Sequence, residues 1–257
     1  RFGYITLVDG GDLHEPIWGH PSINLSQDSV AEFKVFRNQW DAEYGGALAA
    51  IVNVVSKSGT NRLSGSGYYF GRDDSLNAKN AYAVTKPPFQ QVRVGASFGG
   101  PIVENRTHYF ASYEQQKTDS ANITALPPSN PFATLENGIY PNFTKDKNFL
   151  GRVDHRMNEA HSLFARYAIG DWIRDDGDRP IRTLNGIKLG PLAEIQKGLS
   201  QSIITEEKWI LSDTRLNSIR VHVLDNQLHG ETHSLEPRLQ DRKSTRLNSS
   251  HVSESRM

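Results

Sequence analysis

The stretch Gln91-Val-Arg-Val-Gly-Ala-Ser-Phe98 indicates the fold, because apolar and polar side chains alternate along it. Successive side chains of a β-strand point to opposite faces of the sheet. One face would carry Val92, Val94, Ala96 and Phe98, and the other would carry Gln91, Arg93 and Ser97. The segment is therefore predicted to be a strand with one apolar face and one polar face.

Several later segments show the same pattern. Clear alternation occurs in Phe149–Arg156, Leu163–Ile169 and Asn217–Val223, and less regular candidates are Leu63–Phe70, His108–Gln115 and Leu199–Leu211. Together with the first segment they predict about seven strands between Arg62 and His229. This part of the chain is expected to consist of strands and loops only.

The connections between these segments alternate in length. Short turns are predicted at Gly99–Arg106, Met157–His161 and Ser212–Leu216, and long polar loops at Arg72–Gln90, Lys117–Asn148 and Gly170–Lys197. Short turns at one end and long loops at the other are typical of outer-membrane β-barrels. A soluble sandwich usually has shorter connections throughout.

Residues 1–61 show a different pattern of apolar, polar and turn-forming residues. Tyr4–Val8, Glu32–Phe36 and Ile51–Val55 are predicted strands, and Asp28 with Ser29 is expected to cap a short helical turn. Lys57–Asn61 has the composition of a turn. The pattern favours a small α/β unit.

Composition excludes several classes of protein. The 257 residues contain 29 Lys and Arg against 29 Asp and Glu, so a strongly basic nucleic-acid-binding protein is excluded. The absence of Cys excludes disulfides, thiolate metal sites and a cysteine nucleophile. The longest apolar run, Ala47–Val52, is far shorter than the roughly 20 residues of a membrane helix. A β-barrel is compatible with this composition, because its strands are short and alternating.

Both ends of the sequence are expected to be atypical. The chain begins at Arg1, directly before an apolar stretch, and its two methionines are Met157 and Met257. The sequence therefore favours a fragment. Residues 230–257 are expected to be disordered, because the serine-rich and basic segment after Gln240 has no aromatic residue to bury. Residues 241–257 also resemble translated adapter sequence, so they are expected to be non-native.

Six motifs occur in an order and spacing that resemble a known family. They are Asp28–Val35, Ala42–Gly45, Ile51–Asn61, Lys86–Phe89, Gly99–Ile102 and Tyr109–Glu114. Together they resemble the junction between plug and barrel in TonB-dependent outer-membrane receptors, with the Oar-like branch as the nearest group. The resemblance covers roughly residues 4–225, and its separate motifs are individually weak.

The resemblance implies a mostly β fold, namely a partial transmembrane antiparallel barrel preceded by part of a small α/β plug domain. Residues 1–61 would form the C-terminal part of the plug, and residues 62–229 the first barrel strands with long extracellular loops. The plug motifs would be carried by Asp9, Gly10, Glu32, Phe33, Glu43, Tyr44, Gly45, Asn53, Lys57 and Gly59. Plugged barrels have about 22 strands, so most of the barrel would lie outside this chain.

The family resemblance further implies active import across the Gram-negative outer membrane. The expected partners are the TonB energy-transducing complex, whose contact region is missing here, the outer-membrane lipid and an imported ligand. That ligand could be a siderophore, an oligosaccharide, a peptide or a similar molecule. No cofactor and no nucleic-acid partner are expected. Polar side chains at alternate strand positions would line the lumen, namely Arg93, Arg152, Asp154, Arg156, Arg166 and Arg220.

Other candidate sites have weak sequence support. The segment Arg174–Asp178 contains oxygen ligands and a glycine but lacks the spacing of a calcium loop. His14, His20 and His161 have no metal-ligand spacing, and no segment resembles a nucleophile elbow. The protein is therefore predicted to be neither a metalloprotein nor an enzyme. A soluble secreted β-sandwich that binds glycans or mediates adhesion is the alternative, followed by a small outer-membrane barrel enzyme.

Overall fold

The computed structural model describes residues 2–14, 21–37, 47–79, 86–130, 133–175, 180–182, 188–191 and 194–232. Its N-terminal part is a four-stranded sheet in the order β2-β1-β4-β3. The strands are β1 Phe2–Val8, β2 Gly11–Asp12, β3 Val30–Arg37 and β4 Ala47–Ser56. We call this sheet, with its connections up to residue 61, the plug unit.

The plug unit is held together by two apolar strands at its centre. β1 and β4 run parallel, with Ile5 beside Ile51 and Val8 beside Val54. Parallel strands are covered on both faces, which explains their continuous apolar sequences. The predicted helical turn is a 3₁₀ turn at Gln27–Ser29, and it is the only helical element of the plug unit within the described residues. Its capping side chain is that of Ser26, which accepts a hydrogen bond from the Ser29 N–H, and not that of Asp28 as the sequence suggested.

The second part is one antiparallel sheet of seven strands, as predicted. Its order is β13-β12-β9-β8-β7-β6-β5. The strands are β5 Ser64–Asp73, β6 Gln90–Val103, β7 Thr107–Thr124, β8 Gly138–Arg156, β9 His161–Asp175, β12 Glu194–Ser212 and β13 Arg215–Thr232. Within the described residues the sheet is open, and β5 and β13 form its edges. We call it the wall.

Three small elements lie in the connections of the wall. They are a 3₁₀ turn at Asp74–Leu76, a single helical turn at Ala133–Glu136 and a hairpin of β10 Pro180–Arg182 with β11 Lys188–Pro191. Across the described residues, none of the helical segments has the length and apolar character needed to cross a membrane.

The wall strands are longer than the sequence suggested. Lys117–Thr124 and Gly138–Asn148 are predicted to be loop, but residues 117–124 of β7 pair with residues 138–145 of β8, and residues 146–148 pair with residues 114–116. Both faces of these extensions carry polar residues, so the alternation on which the prediction relied is absent from them. The alternating segment is thus only one part of each strand.

The two ends of the wall differ in the length of their connections. At one end, which we call the turn end, the strands are joined by residues 104–106, 157–160 and 213–214. At the other, the loop end, they are joined by residues 74–89, 125–137 and 176–193. The predicted alternation of short and long connections is therefore present.

The two faces of the wall have the opposite polarity to that of a soluble protein. The inner face, against the plug unit, buries polar side chains such as Arg166, Ser202 and Glu206, each at most 4% exposed. The outer face exposes apolar side chains, and Ile203 and Val223 are 54% and 59% exposed. A β-sandwich packs its apolar faces together. A polar interior with an apolar exterior is instead the arrangement of a membrane barrel, so the fold is part of such a barrel with a plug.

Candidate functional site: the contact between plug unit and wall

The contact is built around the turn between β1 and β2. Asp9 and Gly10 both have positive φ, at 52° and 82°. Glycine adopts this conformation freely, and Asp tolerates it better than most residues. The Asp9 N–H donates to the carbonyl of Val54 at 2.8 Å, which ties the turn to β4. The turn therefore presents the Asp9 carboxylate beyond the edge of the plug unit.

The Asp9 carboxylate is buried and joins the plug unit to the wall. It accepts hydrogen bonds from the Ser56 N–H at 2.9 Å and from the Ser56 hydroxyl at 2.8 Å. From the wall, Arg152 Nη1 donates to Asp9 Oδ1 at 3.1 Å. Arg166 Nε lies 3.2 Å from Asp9 Oδ2, within ion-pair distance but without hydrogen-bond alignment. One plug carboxylate thus meets two wall guanidinium groups.

The two arginines differ in their other partners. Arg152 also pairs with Asp154 at 2.7 Å, donates to Ser56 and lies over the ring of Phe164. The Arg166 side chain is fully buried, and its Nη2 donates a hydrogen bond to the Ser202 hydroxyl at 3.3 Å. Arg166 therefore depends on Asp9 for neutralisation much more than Arg152 does.

A cavity of about 540 Å³ lies next to this contact, between the plug unit and the wall. Its charged lining includes Asp9, Asp12, Arg152, Glu206, Lys208 and Arg220. Glu206 is buried and accepts from Arg220 at 2.9 Å and from the Ser218 hydroxyl at 2.6 Å. This cavity has the polar, charged lining that suits a hydrated space between plug and wall.

A second group of polar contacts connects the plug unit to β5. The Ser66 hydroxyl donates to Asp28 Oδ2 at 2.5 Å and lies 2.8 Å from the Ser97 hydroxyl. Two residues further along β5, the Tyr68 hydroxyl donates to the buried Glu114. These residues are not among the site residues that the sequence predicts. Glu114 and Glu206 could have been found, since acidic residues occupy strand positions that share a face with the predicted lumen arginines.

The remaining predicted plug residues have varied surroundings. Gly59 lies against β7 so closely that a Cβ there would be 2.2 Å from the carbonyl oxygen of Tyr109. The Lys57 N–H donates to Ser29, and Asn53 lines the cavity. Glu32 and Phe33 are exposed on β3. Glu43, Tyr44 and Gly45 lie outside the described residues.

The six predicted lumen residues all occupy inner-face positions of the wall. Besides Arg152, Asp154, Arg166 and Arg220, Arg93 donates to Gln116 on the neighbouring strand. Arg156 is exposed near the turn end, and its N–H donates to the Arg106 carbonyl. The structure brings Arg152, Asp154 and Arg166 together at Asp9, while Arg93 lies apart.

Among the described residues, no group of three or more His, Asp or Glu could hold a metal ion. His20 and part of the segment Arg174–Asp178 lie outside that part of the chain.

Comparisons with known proteins agree with this architecture. Residues 55–143 match the family described as "Outer membrane beta barrel domain". The TonB-dependent transporter Oar of Myxococcus xanthus is 25% identical over 186 residues, which cover 63% of this chain and 17% of Oar. The resemblance to TonB-dependent outer-membrane receptors of the Oar-like branch is therefore confirmed, and it indicates the Gram-negative outer membrane.

Solved structures show the same fold. The siderophore receptor PirA from Acinetobacter baumannii superimposes with a TM-score of 0.51 at 16% identity, over 90% of this chain and 37% of PirA. A mutant of the ferric enterobactin receptor PfeA from Pseudomonas aeruginosa superimposes with a TM-score of 0.50 at 16% identity, over 90% of this chain and 38% of PfeA. The chain thus spans well under half the length of these proteins.

Proposed function

We propose that this chain is a segment of a TonB-dependent outer-membrane receptor that imports a ligand into the periplasm. Residues 1–61 would be the C-terminal part of the plug and residues 62–232 the first strands of the barrel. The sequence indicated an end at residue 229, but β13 continues to Thr232, so the expected tail would begin at residue 233. The relatives are named as transporters and receptors, which favours transport over catalysis.

The observation that carries this proposal is the buried contact between Asp9 and the wall arginines. A wall that is apolar outside and polar inside faces either water or a polar plug in its interior, and the plug unit makes the buried polar contacts of the second kind. The wall has seven strands and is open, so further strands are needed to surround the plug unit. By the rule for outer-membrane barrels, the turn end would face the periplasm and the loop end the exterior.

In this mechanism, ligand binds at the extracellular loops and the plug apex. TonB then pulls on the plug and opens the lumen. Arg93, Arg152, Asp154, Arg156, Arg166 and Arg220 would line that lumen. The ion pairs at Asp9 would hold the plug against the wall until force is applied. The ligand class, whether siderophore, oligosaccharide, peptide or similar, is set by loops and by strands within and beyond this chain.

Heat-modifiable migration provides a first test that separates a barrel from a soluble sandwich. The receptor that contains this segment should migrate differently in a detergent gel before and after boiling, because a closed barrel resists detergent at room temperature. Identical migration under both conditions would contradict the barrel. The isolated chain is not expected to close a barrel or conduct ions, since β5 and β13 leave edges unpaired.

A disulfide between plug and wall provides the second test. Asp28→Cys with Ser66→Cys places two thiols where side-chain oxygens are 2.5 Å apart, in a chain without other Cys. In planar bilayers in potassium chloride, the receptor should conduct when urea unfolds the plug. The oxidised double variant should stay closed, and reduction should restore conductance.

The two single-cysteine variants are the controls for this experiment, and both should behave like the unmodified receptor. Urea-induced conductance that is unaffected by the disulfide, or that never appears, would refute a plug held inside this wall. In cells, uptake of a labelled ligand that continues without TonB would refute active import.

A further inference from the structure

Strand register places a row of five side chains across the inner face of the wall. They are consecutive partners on the strands from β5 to β9, namely Phe70, Arg93, Gln116, Asp146 and Trp172. Directly paired residues of an antiparallel sheet lie side by side on the same face. We call these five residues the upper row. On β12 the partner of Trp172 is Gly198.

The upper row lies just beyond the level at which the wall contacts the plug unit, on the side of the loop end. On β9, Trp172 shares strand parity with Gly170 and Ala168, which contact the plug unit. Gly170 approaches the plug unit so closely that a Cβ there would be 3.4 Å from Ile23 Cγ2. The upper row is two residues further along the strand, so it faces the interior between the plug unit and the loop end.

Trp172 is seated against the backbone of β12. A Cβ at Gly198 would lie 2.3 Å from Nε1 and Cε2 of the indole, so the ring occupies the space that any other side chain would fill. The Arg174 guanidinium lies over the ring, 5.6 Å from its centroid, and Trp172 remains partly exposed. An aromatic ring fixed in this way supplies a broad apolar contact surface at a small cost in conformational entropy.

Asp146, directly opposite Trp172, offers a carboxylate without a donor. The side chain is half-buried, and among the described residues it has neither a hydrogen bond nor an ion pair. Arg174 attracts its charge and Glu114 repels it. An ionised carboxylate can only accept hydrogen bonds, and burying one without donors is unfavourable. The position therefore suits a ligand that brings hydroxyl or amide donors.

The other side chains extend this surface across the wall. Arg93 donates to Gln116 Oε1 at 2.9 Å, which holds both groups in the upper row. Phe70, at the far end, is 62% exposed and lies against the ring of Tyr68, with 5.5 Å between the centroids. Neighbouring strands are about 4.8 Å apart, so Phe70 and Trp172 are separated by about 19 Å. A ligand that contacts both aromatic residues must therefore be an extended chain rather than a single small ring.

The charges of this region are balanced. The upper row and the rows on either side of it carry the arginines Arg72, Arg93 and Arg174 against the carboxylates of Glu114 and Asp146. Asp28 of the plug unit adds a third carboxylate beside Ser66. A multiply charged anion, such as a ferric siderophore complex, would need an excess of positive charge here. The balance favours an uncharged ligand.

We propose that the upper row binds a neutral oligosaccharide and that this is the class of ligand the receptor imports. One sugar ring packs on the Trp172 indole and donates its hydroxyls to Asp146. A second ring packs near Phe70, where Arg93 donates to it. Sugars combine an apolar ring face with hydroxyls that donate and accept, which matches aromatic and polar side chains in one row. The inference rests on the proposed transport function, in which the loop end is extracellular.

The test uses the receptor that contains this segment, purified in detergent and applied to an array of neutral oligosaccharides. The receptor should retain at least one of these glycans, whose affinity is then measured by calorimetric titration. Trp172→Ala should weaken that affinity about 30-fold, the effect of truncating an aromatic residue on which binding depends. Gly198→Ala should act in the same direction, because its Cβ would displace the indole. Asp146→Asn should cost about tenfold, since a charged acceptor is replaced by a neutral one.

Trp209→Ala is the matched control, because Trp209 lies on the outer face near the turn end, stacked on His161. This variant should bind the glycan normally, and unchanged heat-modifiable migration shows that each variant is folded. Trp172→Phe should restore most of the affinity that Trp172→Ala loses. Three results would each overturn the proposal: retention of no neutral glycan, stronger binding of a ferric tris-catecholate complex, or equal glycan affinity of Trp172→Ala and the unmodified receptor.

The two proposals can fail separately in this design. A receptor that conducts when the plug unfolds but retains no neutral glycan contradicts only the assignment of the ligand class. A receptor that binds a glycan through Trp172 but takes it up without TonB contradicts only active import.

Discussion

Replacing Asp9 with Asn should loosen the plug by removing the one negative charge shared by Arg152 and Arg166. The substitution keeps the side-chain volume and one acceptor oxygen, so the bond from the Ser56 N–H can persist. Arg152 retains Asp154 at 2.7 Å. The Arg166 side chain, fully buried, is left without its ion pair. Isolating a buried charge in this way costs about 3–5 kcal/mol, and we expect about 3 kcal/mol.

The assay is urea unfolding of the plug in the detergent-purified receptor, followed by hydrogen exchange at the amides of β1 and β4. With an m value of about 1.5 kcal/mol/M, a loss of 3 kcal/mol lowers the midpoint by about 2 M. The amides of β8 and β9 should keep their protection, because regions of one protein can open independently.

A double-mutant cycle tests the explanation by charge. Arg166→Met alone should cost less than Asp9→Asn, because Asp9 keeps its contacts with Arg152 and Ser56. The double variant Asp9→Asn/Arg166→Met should be more stable than Asp9→Asn by about 1 kcal/mol or more, since no buried charge is left unpaired. Additive losses, or an unchanged midpoint in Asp9→Asn, would refute the reasoning.

Two further substitutions test the outer face of the wall and the contact between plug unit and wall. Val223 lies on the exposed outer face, so Val223→Arg should destabilise folding into lipid vesicles by about 2–4 kcal/mol if this face meets the bilayer. The control Val223→Leu should fold normally. Equal folding of the arginine variant would indicate that the wall is soluble. Gly59→Ala should weaken plug retention by about 1–3 kcal/mol, because its Cβ would lie 2.2 Å from the Tyr109 carbonyl oxygen. Gly67→Ala is the control in the same urea assay, since its Cβ would lie 3.9 Å from its nearest neighbour, the Gly95 carbonyl oxygen. Equal urea midpoints for the two alanine variants would contradict the close approach of Gly59 to β7.

Much of the wall could be predicted from sequence because alternation is a local signal. The alternation at Val92, Val94 and Phe98 predicts both that the segment is a strand and which side chains lie on each of its two faces. Alternation does not say which face is buried, so barrel and sandwich remained alternatives on the residues alone. The choice depends on what packs against Arg166 and Ser202, which is a tertiary contact.

The candidate site was predictable only in part for a related reason. Asp9 and Arg152 were singled out separately, as a plug motif and as a lumen residue, but they are 143 positions apart in sequence. Their contact depends on how the turn of β1 meets the wall, which neither local pattern contains. The strand extensions at the loop end escaped prediction because polar residues on both faces resemble a loop.

The composition of the contact between plug unit and wall bears directly on how a plug could be both retained and released. Its apolar part includes Ala168 and Leu224 of the wall, which pack on the cluster of Val8 and Ile23. Its polar part includes the Asp9 ion pairs and the hydrogen bond from Ser66 to Asp28. Water can replace such polar contacts at little net cost, whereas separating a large apolar interface would expose its whole area. The main resistance to release would then come from Arg166, because its fully buried charge loses its ion pair when Asp9 leaves.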